Sequence, residues 1–327
     1  MSTDSSQPPI QTRGAIIRAA LILAVLYGLT MNLQWGRVEQ FLAQTNWREF
    51  WLIVSLYGVV QLIRTLRFYL LAPSTPFGKL CFVSALHVFY LRILPFRAGE
   101  LAYAVLLKKH GLGSAGRGIA HLAFTRFQDM AVVGTIALLG IAFTGTSAYG
   151  FSFYVGSGVI ICISLACLIF LANMLGLAGA LIHKVVPVFP GKAKEALRRL
   201  SLHLEEAGKQ VSALSPQSRL TSTAITVALW AAAFGVMYYS MLAIGLSTPL
   251  GMLMLAGSIT IVASFIPVGV VGTFGILEAG WVIGFSGSGA TQEEAVAGAI
   301  VYSFSTLVAA GMFAFPSWLA LSRAPSS

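Results

Sequence analysis

Six long apolar segments constrain the fold of this 327-residue chain more than any other feature of its sequence. A helix needs about 20 apolar residues to cross the roughly 30 Å hydrocarbon core of a bilayer. Only 10 % of the residues are charged, whereas a water-soluble domain carries about 25 %. The sequence therefore predicts an all-α, polytopic membrane helix bundle and excludes a cytosolic enzyme, a disordered chain and a secreted scaffold. The predicted full spans have the approximate bounds 14–34, 50–71, 118–145, 152–176, 219–245 and 292–320.

Two further apolar stretches are interrupted by proline and glycine before they are long enough to cross. Residues 80–95 are followed by one short apolar run over 98–109, and residues 250–266 by a glycine-rich turn and a short run that ends at Phe285. Broken backbone is tolerated at membrane depth only where it is buried in protein or lines a wet cavity. Each stretch is therefore predicted to form a re-entrant hairpin of two short helices. The predicted break residues are Pro95, Gly99, Pro267, Gly269 and Gly272.

The two breaks occupy corresponding places in two halves of the chain, about 14–176 and 219–320. Each break is followed by a small polar loop and then by a long span. Paired breaks of this kind indicate a transport site in repeat-built transporters, and a pair of ordinary kinked hairpins is the alternative. We treat residues 1–327 as a single integral membrane domain.

Basic residues in the loops predict the orientation of the chain. If the N-terminus is cytoplasmic, 14 basic residues lie inside and only Arg37 and Arg48 lie outside, which agrees with the positive-inside rule. The first hairpin then enters from the cytoplasm and the second from the opposite side, as an inverted repeat requires. Both termini are predicted to be cytoplasmic. The inside residues are Arg13, Arg18, Lys79, Lys108, Lys109, Arg117, Lys184, Lys192, Lys194, Arg198, Arg199, Lys209, Arg219 and Arg323.

Residues 190–214 have a different pattern, because their apolar residues recur at three- and four-residue steps among charged ones. This pattern predicts an amphipathic helix on the cytoplasmic side. We expect it to lie on anionic lipid headgroups or on the bundle rather than to bind a partner helix. The formal net charge of +10 reflects this topology, and no nucleic-acid partner is expected.

Charged residues at membrane depth are energetically costly and usually functional. Arg64 and Arg67 lie near the end of the second span, where snorkelling to the interface is an equal alternative to function. Arg126 and Asp129 are three residues apart on one helical face, which predicts an ion pair between them. Arg92 is a further arginine at this depth.

The first break carries Arg97 and Glu100, and the second is followed by Glu278. A guanidinium beside a helix N-terminus suits a lipid phosphate. Glu100 is expected to pair with Arg97, to hold a cationic headgroup or to carry a proton. Glu278 is predicted to be an isolated buried carboxylate, and such a group tends to be protonated.

Signatures of enzymes and metal sites are missing from the sequence. It contains neither an HExxH motif nor a Walker loop, and Cys81, Cys162 and Cys167 lack metal-ligand spacing. The chain is therefore expected not to be an enzyme and to need neither a metal nor a cofactor.

Several of these stretches resemble the lysylphosphatidylglycerol synthase transmembrane-region family, whose members are also called flippase-like domain proteins. The similarity extends over about residues 14–320. The chain differs from the family at two places: it has Thr125 where the family often has an acid, and Tyr302-Ser303 where the family often has an arginine in the last span. The resemblance implies movement of a lipid between leaflets, without the synthetase domain of the fused systems. The matching stretches are 66–68, 94–100, 106–109, 126–129, 266–279 and 293–295.

These observations favour a lipid flippase of the bacterial inner membrane that moves a phospholipid or another phosphate-bearing lipid. Membrane lipids, with anionic headgroups at the cytoplasmic face, are its expected partners, and a homo-oligomer is left open. A secondary transporter of a small hydrophilic solute and an accessory subunit of a lipid-synthesis complex are the alternatives. The candidate substrate-binding residues are Arg64, Arg67, Arg97, Glu100, Arg126, Asp129 and Glu278.

Overall fold

The computed structural model describes residues 33–94, 98–144, 150–265 and 275–323. Nearly all of the predicted first span lies outside these residues, as do Pro95, Arg97, Pro267, Gly269 and Gly272. The described residues form eleven α-helices and no strand. The helices are α1 (Trp35–Ala43), α2 (Trp47–Leu71), α3 (Phe77–Ile93), α4 (Ala98–Lys109), α5 (Ala115–Thr144), α6 (Gly150–Val185), α7 (Gly191–Ser212), α8 (Pro216–Leu242), α9 (Leu250–Ser264), α10 (Ile276–Gly287) and α11 (Gln292–Arg323).

Five of these helices, α2, α5, α6, α8 and α11, are long and apolar enough to cross a membrane. They confirm five of the six predicted spans, and all-helical architecture is confirmed for the described residues. The helix starts follow capping rules. The Asn46 side chain accepts from the Arg48 N–H before α2, and Ser215 with Pro216 begins α8.

The two interrupted stretches form antiparallel helical hairpins, as predicted. In the first hairpin, α3 and α4 approach so closely at Gly99 that a Cβ there would overlap the backbone of Tyr90. The His87 Nδ1 donates to the Gly99 carbonyl oxygen at 3.0 Å. In the second hairpin, a Cβ at Gly284 would lie 2.6 Å from the Ala256 carbonyl oxygen. Glycine is needed at these crossings because the helix backbones touch.

Helices α2–α5 and α8–α11 are two copies of one unit, a span followed by a hairpin and a second span. The first spans of the two units, α2 and α8, pack antiparallel. The Asn46 N–H donates to the Ala243 carbonyl oxygen at one end, and Arg67 donates to Thr226 at the other. The first arm of each hairpin packs on the last span of the other unit, α3 on α11 and α9 on α5. Since α2 and α8 run in opposite directions, the two hairpins enter the bundle from opposite ends, which is an inverted repeat.

Helices α6 and α7 connect the two units. The 36 residues of α6 extend about 54 Å, which is longer than a bilayer core. The predicted amphipathic helix is confirmed as α7. It runs back along α6, with Gly208 against the Ala172 carbonyl oxygen, and it buries Ala207 and Val211 against α5 and α6. The predicted position on the bundle is therefore confirmed for this face of α7.

Candidate functional site

A cavity of about 170 Å³ lies inside the bundle where the tips of the two hairpins meet. Arg92 near the end of α3 belongs to the first tip, and Ser264 and Leu277 belong to the second. The middle of α2, α5, α8 and α11 completes the wall. The inverted repeat therefore positions both broken hairpins against one central space, each reaching it from its own end of the bundle.

Among the residues that the structure describes, four arginines line this cavity, and all four come from the first unit. Arg64 and Arg67 lie on α2, Arg92 on α3 and Arg126 on α5. The second unit contributes aromatic and hydroxyl groups to the lining: Thr260, Trp230 and Tyr302. The backbone is a repeat, but the charge is carried by one half of it.

Arg67 and Asp129 form a buried ion pair across α2 and α5. Arg67 Nη1 lies 2.5 Å from Asp129 Oδ1, and the two side chains are only 4 % and 6 % exposed. Trp230 Nε1 donates to the same carboxylate at 3.0 Å, and Thr226 Oγ1 accepts from Arg67 at 3.2 Å. Snorkelling is therefore the wrong interpretation for Arg67, whose guanidinium is buried in the bundle.

The predicted ion pair between Arg126 and Asp129 is wrong. Arg126 Nη2 instead donates to Glu100 Oε1 on α4 at 3.1 Å. The i, i+3 spacing places both residues on one face of α5, but that face contacts different helices at the two positions. The Glu100 side chain therefore has Arg126 as an ion-pair partner, whereas Arg97, its predicted one, lies outside the described residues.

Arg64 and Arg92 have no ion-pair partner among the residues that the structure describes. Arg64 Nη1 donates to Gln61 Oε1 at 3.1 Å. The Arg92 guanidinium lies 5.7 Å from the centre of the Tyr302 ring, and its Nη1 is buried without a hydrogen-bond acceptor among those residues. Tyr57 is close enough to interact electrostatically with both guanidiniums, and the Tyr57 and Tyr302 side chains lie within hydrogen-bonding reach of Arg92. A buried donor without an acceptor is energetically unfavourable unless a ligand or water supplies one.

Glu278 is not isolated, contrary to the prediction. Its Oε2 accepts from the Gly275 N–H at 2.7 Å, and its Oε1 accepts from Ser303 Oγ on α11. The carboxylate caps the N-terminus of α10, where the positive end of the helix dipole favours negative charge. It also interacts electrostatically with Arg92. Glu278 thus joins the second hairpin to the last span beside the cavity.

Sequence reasoning did not assign Arg92, Tyr57, Trp230 or Tyr302 to the site, although Arg92 was recognised as a charge at membrane depth. The usable signal was its position, three residues before Pro95 at a predicted break. No such signal marks the aromatic residues, because tyrosine and tryptophan are also common in apolar cores and at interfaces. Of the predicted break residues, Gly99 is described, and a Cβ at this position would overlap the backbone of Tyr90.

Comparison with known proteins gives one finding. The family model described as the lysylphosphatidylglycerol synthase TM region matches residues 15–313. The match covers most of the chain, including all residues of the cavity, and confirms the resemblance seen in the motifs. No curated protein matches the sequence.

We predict that Asp129→Asn strongly destabilises the protein, because it leaves the Arg67 charge buried and uncompensated. Loss of one partner of a buried pair costs about 3–5 kcal/mol. The double variant Arg67→Gln/Asp129→Asn should recover much of that loss. The measurement is the thermal unfolding midpoint of detergent-solubilised protein.

Glu195→Gln is the control, because Glu195 pairs with Arg198 and Arg199 on the exposed face of α7. Exposed pairs contribute little, so its midpoint should match that of the unmodified protein. An Asp129→Asn midpoint equal to that of this control would contradict a stabilising role for the buried pair.

Proposed function

The chain belongs to the lysylphosphatidylglycerol synthase TM region family, and on this premise we propose that it moves a phosphate-bearing lipid between the leaflets of a bilayer. The central cavity is the proposed headgroup site, and the two hairpins are the proposed gates. We expect the bilayer to be a bacterial inner membrane, with both termini of the protein on its cytoplasmic side.

The observation that carries this proposal is the excess of positive over negative charge around the cavity among the described residues. Four guanidiniums, those of Arg64, Arg67, Arg92 and Arg126, are accompanied by the three carboxylates of Glu100, Asp129 and Glu278. Arg64 and Arg92 form no ion pair with the described residues, although Glu278 interacts electrostatically with Arg92. Guanidinium groups bind phosphate through paired hydrogen bonds. A bound phosphate would supply the acceptor that Arg92 Nη1 lacks among the described residues.

The lining of the cavity supports a lipid over a small hydrophilic solute. Between the arginines, much of the wall is aliphatic, including Val60, Val88, Leu91, Leu229 and Met237. A polar solute would gain little from such a wall, whereas an amphiphilic ligand can place its phosphate on the arginines and its glycerol and first methylenes on the aliphatic groups.

A second, apolar groove lies on the other face of α9. It has a volume of about 460 Å³ and is bounded by α5, α6 and α9. On α9, Thr260 and Ile261 line the cavity, whereas Ile259 and Val262 line the groove. The cavity and the groove therefore lie on different faces of α9. We propose that the groove holds an acyl chain of the lipid whose headgroup occupies the cavity.

We expect Arg64→Gln and Arg92→Gln each to slow lipid movement about tenfold or more, because a hydrogen bond to a charged group contributes about 1.5–3 kcal/mol. The measurement is the loss of fluorescence of labelled phosphatidylglycerol in proteoliposomes after a reducing agent is added outside. Arg48→Gln, at the start of α2 and away from the cavity, should behave as the unmodified protein.

Labelled phosphatidylcholine and radiolabelled glycerol phosphate are the comparison substrates in the same vesicles. Uptake of glycerol phosphate without movement of either lipid would favour the solute transporter and overturn the proposal. Lipid movement at the same rate in the Arg64, Arg92 and Arg48 variants would contradict a role of the cavity in transport.

If the groove holds an acyl chain, substitutions of two nearby glycines of α6 should affect lipid movement differently. Gly156 lines the groove, Gly158 does not, and a Cβ at either position would meet no atom within 4 Å. Gly156→Leu should fill the groove and slow movement of labelled phosphatidylglycerol severalfold, whereas Gly158→Leu should leave the rate unchanged. Equal rates in the two variants, both folded, would contradict a role for the groove.

A further inference from the structure

The acidic residues of this chain are few, and their positions determine which headgroups the cavity can hold. The sequence has 11 of them, and Asp4 alone lies outside the described residues. The two hairpin breaks, 95–97 and 266–274, contain no acidic residue. Among the described residues, Asp129 is the one carboxylate that lines the cavity. A positively charged headgroup would therefore find few acceptors of negative charge there.

Both oxygens of the Asp129 carboxylate are already bonded within the protein. Oδ1 accepts from Arg67 Nη1 and from Trp230 Nε1, and Oδ2 accepts from Arg67 Nη2 at 3.4 Å. Because Arg67 and Trp230 share one oxygen, the Arg67 charge also lies close to the indole. A lipid ammonium could reach Asp129 only by displacing a buried guanidinium, which would then be left without its partner.

The two carboxylates beside the cavity are bonded in the same way. Glu278 accepts from the Gly275 N–H at 2.7 Å and from the Ser303 hydroxyl. Glu100 accepts from Arg126 at 3.1 Å and has a further interaction in the structure. Neither group is therefore available to an ammonium unless a bond within the protein is broken.

Aromatic ring faces are the other groups that bind an ammonium, and the tyrosines of the cavity already lie beside guanidiniums. The Arg92 guanidinium lies 5.7 Å from the centre of the Tyr302 ring, which also packs against Trp281 with 4.8 Å between ring centres. Tyr57 interacts electrostatically with Arg64 and Arg92. An ammonium on either tyrosine would be next to a positive charge, and like charges at close range are unfavourable.

We propose that the cavity selects lipids whose only headgroup charge is the negative phosphate and that it rejects headgroups with an ammonium. This inference rests on the proposed function and names the class of lipid: phosphodiesters of uncharged alcohols, such as phosphatidylglycerol. Arg64 and Arg92 have both roles, because they bind the phosphate and repel an ammonium attached to it. Arg64 also interacts electrostatically with Arg67 and Arg126, so positive charge is concentrated around it.

The experiment is a titration of the full chain in detergent with four dioctanoyl lipids, which yields a dissociation constant for each. Phosphatidylglycerol is compared with phosphatidylethanolamine, with N-acetyl phosphatidylethanolamine and with lysyl-phosphatidylglycerol. N-acetylation removes the ammonium charge but keeps the ethanolamine, so it separates charge from size. The two lipids without an ammonium should bind with similar constants, and the two with an ammonium should bind about tenfold or more weakly.

Arg64→Gln tests whether the arginines cause this selectivity. The variant should lose more affinity for phosphatidylglycerol than for phosphatidylethanolamine, because a phosphate ligand and a charge that repels the ammonium are removed together. The ratio of the two constants should therefore fall severalfold. Arg48→Gln is the matched control, since Arg48 lies at the start of α2 away from the cavity, and its ratio should equal that of the unmodified protein. If Arg64→Gln does not fold, Arg92→Gln takes its place.

The failure of this inference is distinguishable from failure of the proposed function. Equal constants for phosphatidylglycerol and phosphatidylethanolamine would overturn the selectivity and leave the headgroup site standing, as would equal ratios in the Arg64 and Arg48 variants. Weak binding of N-acetyl phosphatidylethanolamine would also overturn it, because size and not charge would then be selected. The absence of saturable binding by any of the four lipids would overturn the headgroup site and the selectivity together.

Discussion

The burial of charge determines how this bundle is arranged. A guanidinium inside a membrane protein is tolerated only where it is paired or faces a polar cavity, and the chain places four of them around one space. The ion pair of Arg67 and Asp129 joins α2 to α5, and Trp230 and Thr226 of α8 bond to the same pair. Three of the long spans are therefore fixed to one another at the level where the hairpin tips meet.

The fold is symmetric, but the chemistry of the cavity is not. Both units supply a span, a hairpin and a second span, and the packing of each hairpin on its own second span and on that of the other unit is repeated. All four arginines belong to the first unit, while the second supplies Trp230, Tyr302 and the Glu278 cap. The Arg92 guanidinium reaches Tyr302 from the first unit, and Ser303 bonds to Glu278. An anion in the cavity would thus bind to arginines of the first unit and pack against aromatic side chains of the second.

Sequence reasoning predicted the helices well, because length and proline or glycine breaks are local properties. The short helix α4 coincides with the predicted run 98–109, and α9 begins at the predicted residue 250. The site was harder to predict, because the ion partners are set by packing between helices. The spacing of Arg126 and Asp129 predicted a pair within α5, yet each residue bonds to a different helix. Arg92 and Tyr302 are more than 200 positions apart, and only the inverted packing of α3 on α11 brings them together.

The central claim is that a lipid phosphate binds between Arg64 and Arg92. The most direct measurement is an electron cryomicroscopy map of the protein in nanodiscs of phosphatidylglycerol. We expect density for a headgroup in the cavity, with its phosphate in contact with both guanidiniums and an acyl chain in the groove beside α9. A well-resolved map with lipids only around the outside of the bundle, and with no headgroup at Arg64 and Arg92, would contradict it.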